Sequence, residues 1–340
     1  MVEKMENKEK MKAIMMAKYG TPDVLQLKEI EKPSTKDDEV LIRNHGTSIN
    51  TVDVLHRGGK APKVAFWGMK QLVGFFLRLS FGGLRKPKQK IPGGGFVGEI
   101  VSIGKEVTDW RVGDHVYGYS EAGGACAEFM TVPASVLAKK PANLNFQEAA
   151  AVPGGSTPAL VAFRDLATPK KGDKVLIIGA SGGIGTFALQ MAKNVYDAEV
   201  TGVCGPTNVE MVKEMGADFV IDYTKEDYTK NDSKYDIILD VVSTKNLSKC
   251  KNILASEGIY VSNNPISSPK NLFHMMTKNK KFKTGTADES AAAMNLIREW
   301  IEEGKIKPVI DTVYLLSQTA EAHRHYETGH AKGRVVISIE

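Results

Sequence analysis

The sequence predicts an α/β protein in which a doubly wound parallel sheet is inserted into a β-rich domain. Three observations carry the prediction. Up to about Asn145 the chain shows short β-like runs punctuated by Gly and Pro. From Gln147 strand and helix patterns alternate, and the strands have little polar interruption, as in a parallel sheet buried on both faces. After the helical run "SAAAMNLIREWIEEG" short strands return. A chain of 340 residues is also long for a single core. The expected division is an extension at 1–10, a β-rich domain at 11–145 completed by 305–340, and a nucleotide-binding domain at 146–304.

The elements follow in order. "MVEKMENKEKMK" is charged and lacks the apolar centre of a signal peptide. It reads as a disordered extension before a first strand in "KAIMMAKYG". "EVLIRNHGTSIN", "GFVGEIVSIG" and "DHVYGYS" read as strands of a compact, barrel-like domain. Between them "APKVAFWGMKQLVGFFLRLSFGGLRKPKQK", residues 61–90, clusters apolar residues between flanking Lys and Arg. It is expected to be a helix-containing loop packed on its own domain; the alternatives are a hydrophobic substrate flap or a membrane-surface contact. "EAAAVPGGSTPALVAFRDL" has helical spacing. Strands "KVLIIG", "EVTGVCG", "DFVIDY", "YDIILDVV" and "GIYVSNN" then alternate with helices "GTFALQMAKNV", "NVEMVKEMG" and "NLSKCKNILA". "IKPVIDTVYLL" and "GRVVISIE" are strands returning to the first domain, with the helix "SQTAEAHRHYETG" between them.

Composition narrows the function. The net charge of +5 suits an anionic ligand, and no clustered basic face marks nucleic acid as a partner. Cys126, Cys204 and Cys250 form no C-x-x-C pair, so neither a disulfide framework nor a cysteine-cage zinc site is expected. A cytoplasmic location follows from the same observations. No run of the sequence has the apolar length of a membrane span.

The glycine cluster carries the chemistry. "KVLIIG" leads into Gly179, Ala180, Ser181, Gly182, Gly183, Ile184 and Gly185, and then into helical spacing. A strand, a glycine turn and a helix start cradle a diphosphate: glycines allow a tight turn and close approach, and the first free N–H groups of the helix face the anion. The glycine spacing alone also fits the short-chain dehydrogenases. Against them, the turn lies mid-chain, and no tyrosine is followed four positions later by the lysine their catalysis needs. The alternative for the turn is packing alone.

An acid about twenty residues beyond such a turn accepts from the ribose 2′-OH of NAD. Here "EVTGVCG" ends at Cys204-Gly205 and "PTNVE" follows, with no acid at the strand end. NADP(H) is therefore favoured, with Thr207 and Asn208 as donors to a 2′-phosphate. Tyr223 adds a hydroxyl or merely packs on the sheet rim.

Taken with "YGTPDVLQL", "TSINTVDVLHRGG", "GEIVSIGKEVTDWRVGDHVYG", "EMGADFVIDYTKED" and "GKIKPVIDTVYLLSQTAEAHRHYETGHAKGRVV", the chain resembles the zinc-independent branch of the medium-chain dehydrogenase/reductases, the quinone oxidoreductase (zeta-crystallin-like) and enone reductase group. The resemblance implies a GroES-like catalytic domain, an inserted Rossmann domain, a cofactor cleft between them and a homodimer joined through the Rossmann sheets. Zinc-dependent members carry a cysteine near Asn50 and a Gly-His-Glu where this chain has "PGGGFVGE", so no zinc is expected. His325 and His330 read as solvated.

Carried over by the resemblance, Asn50 and Asp53 fall where the family places polar active-site residues beside the nicotinamide; turn or cap chemistry is the alternative. Thr157, or its neighbour Ser156, lies near a family threonine that approaches the cofactor. Val242 and Asn263 fall at strand ends on the ligand side. Many relatives have a tyrosine where this chain has Leu55; the adjacent His56 is a candidate proton donor. Relatives often place Lys or Arg near Thr207, where this chain is neutral; Lys225, Lys332 or Arg334 can help instead. The expected activity is NADPH-dependent reduction of quinones or α,β-unsaturated carbonyls. The alternatives are a redox sensor or RNA-binding module with little catalysis, and a zinc-independent alcohol or aldehyde oxidoreductase.

Overall fold

The structure, a computed structural model, describes residues 9–59, 86–88, 90–243, 245–264 and 268–340. The segment expected as a loop or flap at 61–90 lies outside the described residues apart from 86–88 and 90, as does the N-terminal extension apart from Glu9 and Lys10.

Strands β1 (Lys10–Met16) and β2 (Leu25–Glu31) form an antiparallel ribbon. Strand β3 (Glu39–Ile49) leads into helix α1 (Thr51–Gly58). Strands β4 (Gly95–Ile103), β5 (His115–Tyr119), β6 (Phe129–Pro133) and β7 (Leu137–Lys139) follow. Helices α2 (Phe146–Ala150) and α3 (Ser156–Val161) lead to β8 (Lys174–Ile178) and α4 (Gly185–Gln190). The next elements are β9 (Glu199–Cys204), α5 (Val209–Glu214), β10 (Phe219–Asp222), β11 (Tyr235–Asp240), α6 (Leu247–Cys250) and β12 (Leu254–Ser262). The chain closes with α7 (Pro269–Met276), β13 (Phe282–Lys283), α8 (Ala291–Glu302), β14 (Ile310–Leu315), α9 (Thr319–Glu327) and β15 (Arg334–Ser338).

Two larger sheets result. One is six-stranded and parallel, in the order β10-β9-β8-β11-β12-β13. The order reverses at β8, so the crevice beyond the carboxyl ends of β8 and β11 is the topological switch point where such sheets bind ligands. Val175, Leu176 and Ile177 are fully buried, as a strand covered on both faces requires. The other sheet is seven-stranded, in the order β14-β15-β3-β4-β5-β7, with β6 also pairing β3. Its returning strand β15 pairs antiparallel with β3, Val335 opposite Ile49. This is the GroES-like domain with an inserted Rossmann sheet.

One apolar cluster runs through both parts. Val97 and Tyr117 from the first sheet join Leu160 and Phe187, and Met294 and Ile297 of α8. The Tyr117 hydroxyl donates to the Met294 carbonyl at 2.7 Å, tying β5 to α8. Phe187 lies against Gly155, where a Cβ would stand 3.2 Å from its ring.

Three local readings differ from the sequence. "EAAAVPGGSTPALVAFRDL" forms two helices, because Gly154 takes φ +72° between them. In "NLSKCKNILA" the helix stops at Cys250, and Leu254 already opens β12, paired with Tyr235. His325 is not simply solvated: it is partly buried, its Nε2 is 3.0 Å from Asp311, and its Nδ1 is 3.1 Å from the Tyr314 hydroxyl.

Phe187 is fully buried in the shared cluster, so Phe187→Ala is expected to cost about 3–5 kcal/mol, read as a lower urea midpoint. An unchanged midpoint would show that the two parts do not share their core.

Candidate active site

A cleft of about 1600 Å³ opens at the switch point and extends against the first domain. Its floor is the glycine turn. Gly179 leaves β8 at φ +90°, a conformation that L side chains rarely adopt. The close approach is sharpest at Gly185, where a Cβ would sit 2.1 Å from the Gly179 carbonyl oxygen. The helix therefore starts directly against the strand end, and its first-turn N–H groups lack intrahelical acceptors. It continues beyond α4 as a π-type turn over Met191–Val195.

Side chains brace this turn. Asn208 Nδ2 donates to Ser181 Oγ at 3.1 Å, and Thr207 Oγ1 donates to Asn208 Oδ1 at 3.3 Å. The Gly333 amide donates to the Ser181 carbonyl at 2.8 Å, so the chain entering β15 is bonded to the turn. Tyr223 is largely exposed on the cleft wall beside Gly205, and Val242 lies over Gly179. Asn263 lines the cleft just past β12, its amide donating to the Asp240 carbonyl. Gly179, Ser181, Gly182, Gly183, Ile184, Thr207, Asn208, Tyr223, Val242 and Asn263 all line this one space.

At the other end Asn50 has two roles. It is the N-cap of α1: its Oδ1 accepts from the amides of Val52 (2.8 Å) and Asp53 (3.1 Å), and Asp53 Oδ2 accepts from the Asn50 amide at 2.9 Å. This reciprocal capping box holds the side chain still. Its amide nitrogen is left for the cleft side, where Asn50 hydrogen-bonds the Tyr119 hydroxyl. Burial pushes the Tyr119 hydroxyl above its usual range, so it stays protonated. Burial also raises the Asp53 carboxyl to about 6, opposed by the Asn50 and Gly93 amides and by Arg334.

Asp53, His56 and Thr157 are not among the residues lining the cleft. Asp53 lies beneath Asn50. His56 is buried one turn along α1, where burial lowers its basicity. Thr157 is buried and donates to Glu289 Oε1 at 2.9 Å.

Tyr119, Glu289 and Arg334 complete this end. Arg334 is buried; its Nη2 donates to Ser48 Oγ (2.7 Å) and to the Pro153 carbonyl (3.2 Å). Its Nε has no hydrogen-bond partner among the described residues. A Cβ on Gly183 would lie 2.9 Å from Arg334 Cδ, so the guanidinium stem passes directly under the turn. The sequence named Arg334 only as a remote helper of a 2′-phosphate. It stands instead beside Gly183 and Asn50. Tyr119 reads in the sequence as an ordinary strand residue, and Glu289 sits in "TADES", which has no periodic signal.

These features fit an anionic dinucleotide: a backbone cradle that side chains would fill, and a buried guanidinium nitrogen awaiting an acceptor. Among the described residues no group of three or more His, Cys, Asp or Glu is placed to hold a metal ion, and no helix is long and apolar enough to cross a membrane.

Residues 36–142 match the family model of the alcohol dehydrogenase GroES-like domain, and residues 215–337 match that of the zinc-binding dehydrogenases. The chain is 31% identical to the chloroplastic NADPH-dependent alkenal/one oxidoreductase of Arabidopsis thaliana, over 96% of this chain and 79% of that protein. It is 29% identical to the quinone oxidoreductase of Sus scrofa, over 97% and 98%. The structure of the quinone oxidoreductase from Coxiella burnetii superposes with a TM-score of 0.84 at 26% identity, covering 98% of this chain and all of that one. The chain belongs to the medium-chain dehydrogenase/reductase superfamily, in its quinone oxidoreductase and alkenal/one reductase branch.

Two substitutions separate the roles of Asn50. Asn50→Ala removes the cap and is expected to lower stability by about 0.5–2 kcal/mol. Asn50→Ser keeps a capping oxygen and loses the amide donor, so it is expected to melt near wild type. Equal losses in thermal melts of the two variants would contradict this assignment.

Proposed function

We propose that the chain is an oxidoreductase that passes hydride from NADPH to quinones or α,β-unsaturated carbonyls without a metal. The observation that carries the reading is one continuous cleft, joining the glycine turn to the Asn50–Tyr119 pair beside Arg334. The names of the two relatives above support the same substrate classes.

Bound there, the reduced nicotinamide supplies the hydride; the residues bind, orient and polarise. The amides of Gly183 and Ile184 would hold the diphosphate, and Arg334, whose Nε has no hydrogen-bond partner among the described residues, would supply a charge-assisted donor. The end of β9 offers Thr207 and Asn208 rather than a carboxylate, and Tyr223 and Lys225 line the same wall. Glu226 and Asp227 line it too, but Asp227 accepts from Thr229 and faces Lys245 at 4.0 Å. This balance favours a 2′-phosphate, hence NADP(H). Val242 and Asn263, just past the carboxyl ends of β11 and β12, line the cleft where they would contact the nicotinamide. The Asn50 amide and Tyr119 hydroxyl donate toward the oxygen on which charge develops. Asp53 acts through Asn50 as a positioning residue. The reading gives His56 no proton-transfer role, since it is buried away from the cleft.

Zinc has no part in this reading, because the cleft offers Cys204 and His330 but no third soft donor among the described residues. A homodimer through the parallel sheets is supported by the short edge strand β13 and by Phe273 and Met276, exposed on the adjoining α7.

NADPH oxidation followed with 1,4-quinones and alkenals is expected to show turnover, with NADPH preferred to NADH and no loss after exhaustive chelation. Gly185→Ala, which must open the turn, is expected to abolish NADPH binding in a fluorescence titration. Absence of turnover with both substrate classes would refute the reading. Sedimentation at twice 37.1 kDa is expected for the dimer; a monomer mass would remove that part alone.

A further inference from the structure

Glu289 precedes Ser290, the N-cap of α8, on the segment that links β13 to that helix. Nothing in the local pattern of "TADES" gives it a task, and it is not needed as a cap: Ser290 Oγ accepts the Ala293 amide at 3.2 Å. The fold instead brings it to the cleft beside Asn50, Tyr119 and Arg334. Its two oxygens are treated unequally. Oε1 accepts the Thr157 hydroxyl at 2.9 Å, while Oε2 is buried with no hydrogen-bond partner among the described residues. A carboxylate oxygen buried without a donor is costly, whereas a neutral acid can keep its proton there. Elsewhere in the cleft lining the carboxyls are Glu226 and Asp227, on the wall near Tyr223, at the end away from Asn50.

We propose that Glu289, held by Thr157, is the proton donor of this cleft. The proposal rests on the reductase reading above. A substrate that has accepted hydride at its β-carbon has moved the electron pair of its C=C bond toward the carbonyl oxygen, which becomes anionic. The O–H bond of Glu289 breaks, a new O–H bond forms on that oxygen, and Glu289 is left as carboxylate. The enol tautomerises in water, and Glu289 regains a proton from water that enters the cleft once the product has left. For a quinone the same proton goes to an oxygen of the hydroquinone anion. Hydride from the reduced nicotinamide dinucleotide supplies both electrons, so atoms and charge balance.

The groups facing Glu289 set its titration. Burial raises the carboxyl to about 7, with Asp288 and Glu121 pushing it the same way. The Thr157 hydroxyl and Arg334 pull it down. Tyr119 faces it as a neutral hydroxyl and does not compete as an acid near neutrality. The acid form is the donor, so turnover falls as pH rises through about 7. Removing the Thr157 hydroxyl takes away a bond that favours the carboxylate, so the fall moves to higher pH.

Wild type, Glu289→Gln and Thr157→Val test this. Infrared difference titration of each protein, without cofactor or substrate, is expected to show a protonated-carboxyl band lost near pH 7 in wild type. The component titrating near 7 is expected to be absent in E289Q and to move to higher pH in T157V. NADPH affinity of E289Q, by fluorescence, is expected to stay within about twofold, while kcat with a 1,4-quinone at pH 6 falls about 10²-fold or more and loses its alkaline decline. The Asp53 carboxyl, raised to about 6, keeps its own band in every variant. A component near pH 7 that persists in E289Q, or an E289Q rate and pH profile matching wild type, overturns the donor role and leaves the reductase reading intact. A T157V decline at unchanged or lower pH also overturns it, whether or not E289Q folds. No turnover by wild type overturns the reductase reading, and this proposal with it.

Discussion

The close contact of Gly185 with the Gly179 carbonyl is the constraint on which the site depends. Because no Cβ fits there, the helix begins at the very end of β8. The turn between them must then be built from backbone: the Gly179 and Ala180 amides donate to the Val203 carbonyl and the Gly182 amide to the Gly179 carbonyl, while Gly183 and Ile184 line the crevice. The same compactness lets a third strand of chain reach it. Gly333 donates to Ser181, and Arg334 slides beneath Gly183 to Ser48 and Pro153. The end of the β-rich domain is thus bonded to the glycine turn of the parallel domain at one corner of the cleft.

That corner concentrates charge where solvent is scarce. Arg334 is buried with Asp53 and Glu289 among the groups acting on it, and burial lowers the basicity of its guanidinium. A buried guanidinium is tolerated only with opposite charge and hydrogen bonds around it, and here these come from two domains. The carboxyls respond in turn: both Asp53 and Glu289 have raised affinity for protons, with burial as the main cause. The site is therefore an arrangement of coupled neutral and charged groups rather than a set of independent side chains.

How much of this was legible in the sequence follows from the range of each signal. The parallel strands and the glycine turn were readable because apolar runs and glycine spacing are local. Asn50 was readable as a cap, which is what it is in this fold, and it also lines the cleft. His56 was the weaker candidate, named as a proton donor only because it adjoins Leu55, and nothing in "VLHRGG" shows which face of α1 turns inward. Tyr119, Arg334 and Glu289 meet only because β5, β15 and the segment before α8 converge from distant parts of the chain. No spacing rule relates them. The cleft wall near Thr207 had a similar blind spot: β9 lacks an acid, but Glu226 and Asp227 arrive from beyond β10.

The pairing of β15 with β3 has a consequence for how the molecule is made. Strand β3 lies within the first fifty residues, yet its partner at Val335–Ser338 is synthesised after every other strand described. The six-stranded parallel sheet has all its strands by Lys283 and can assemble during synthesis. The β-rich sheet must wait with one flank of β3 unpaired at Gly46–Ile49, beyond the stretch that β6 covers, a template for pairing with another nascent chain. The order of translation thus runs against the order of closure, and this flank is where chaperone binding would be most useful.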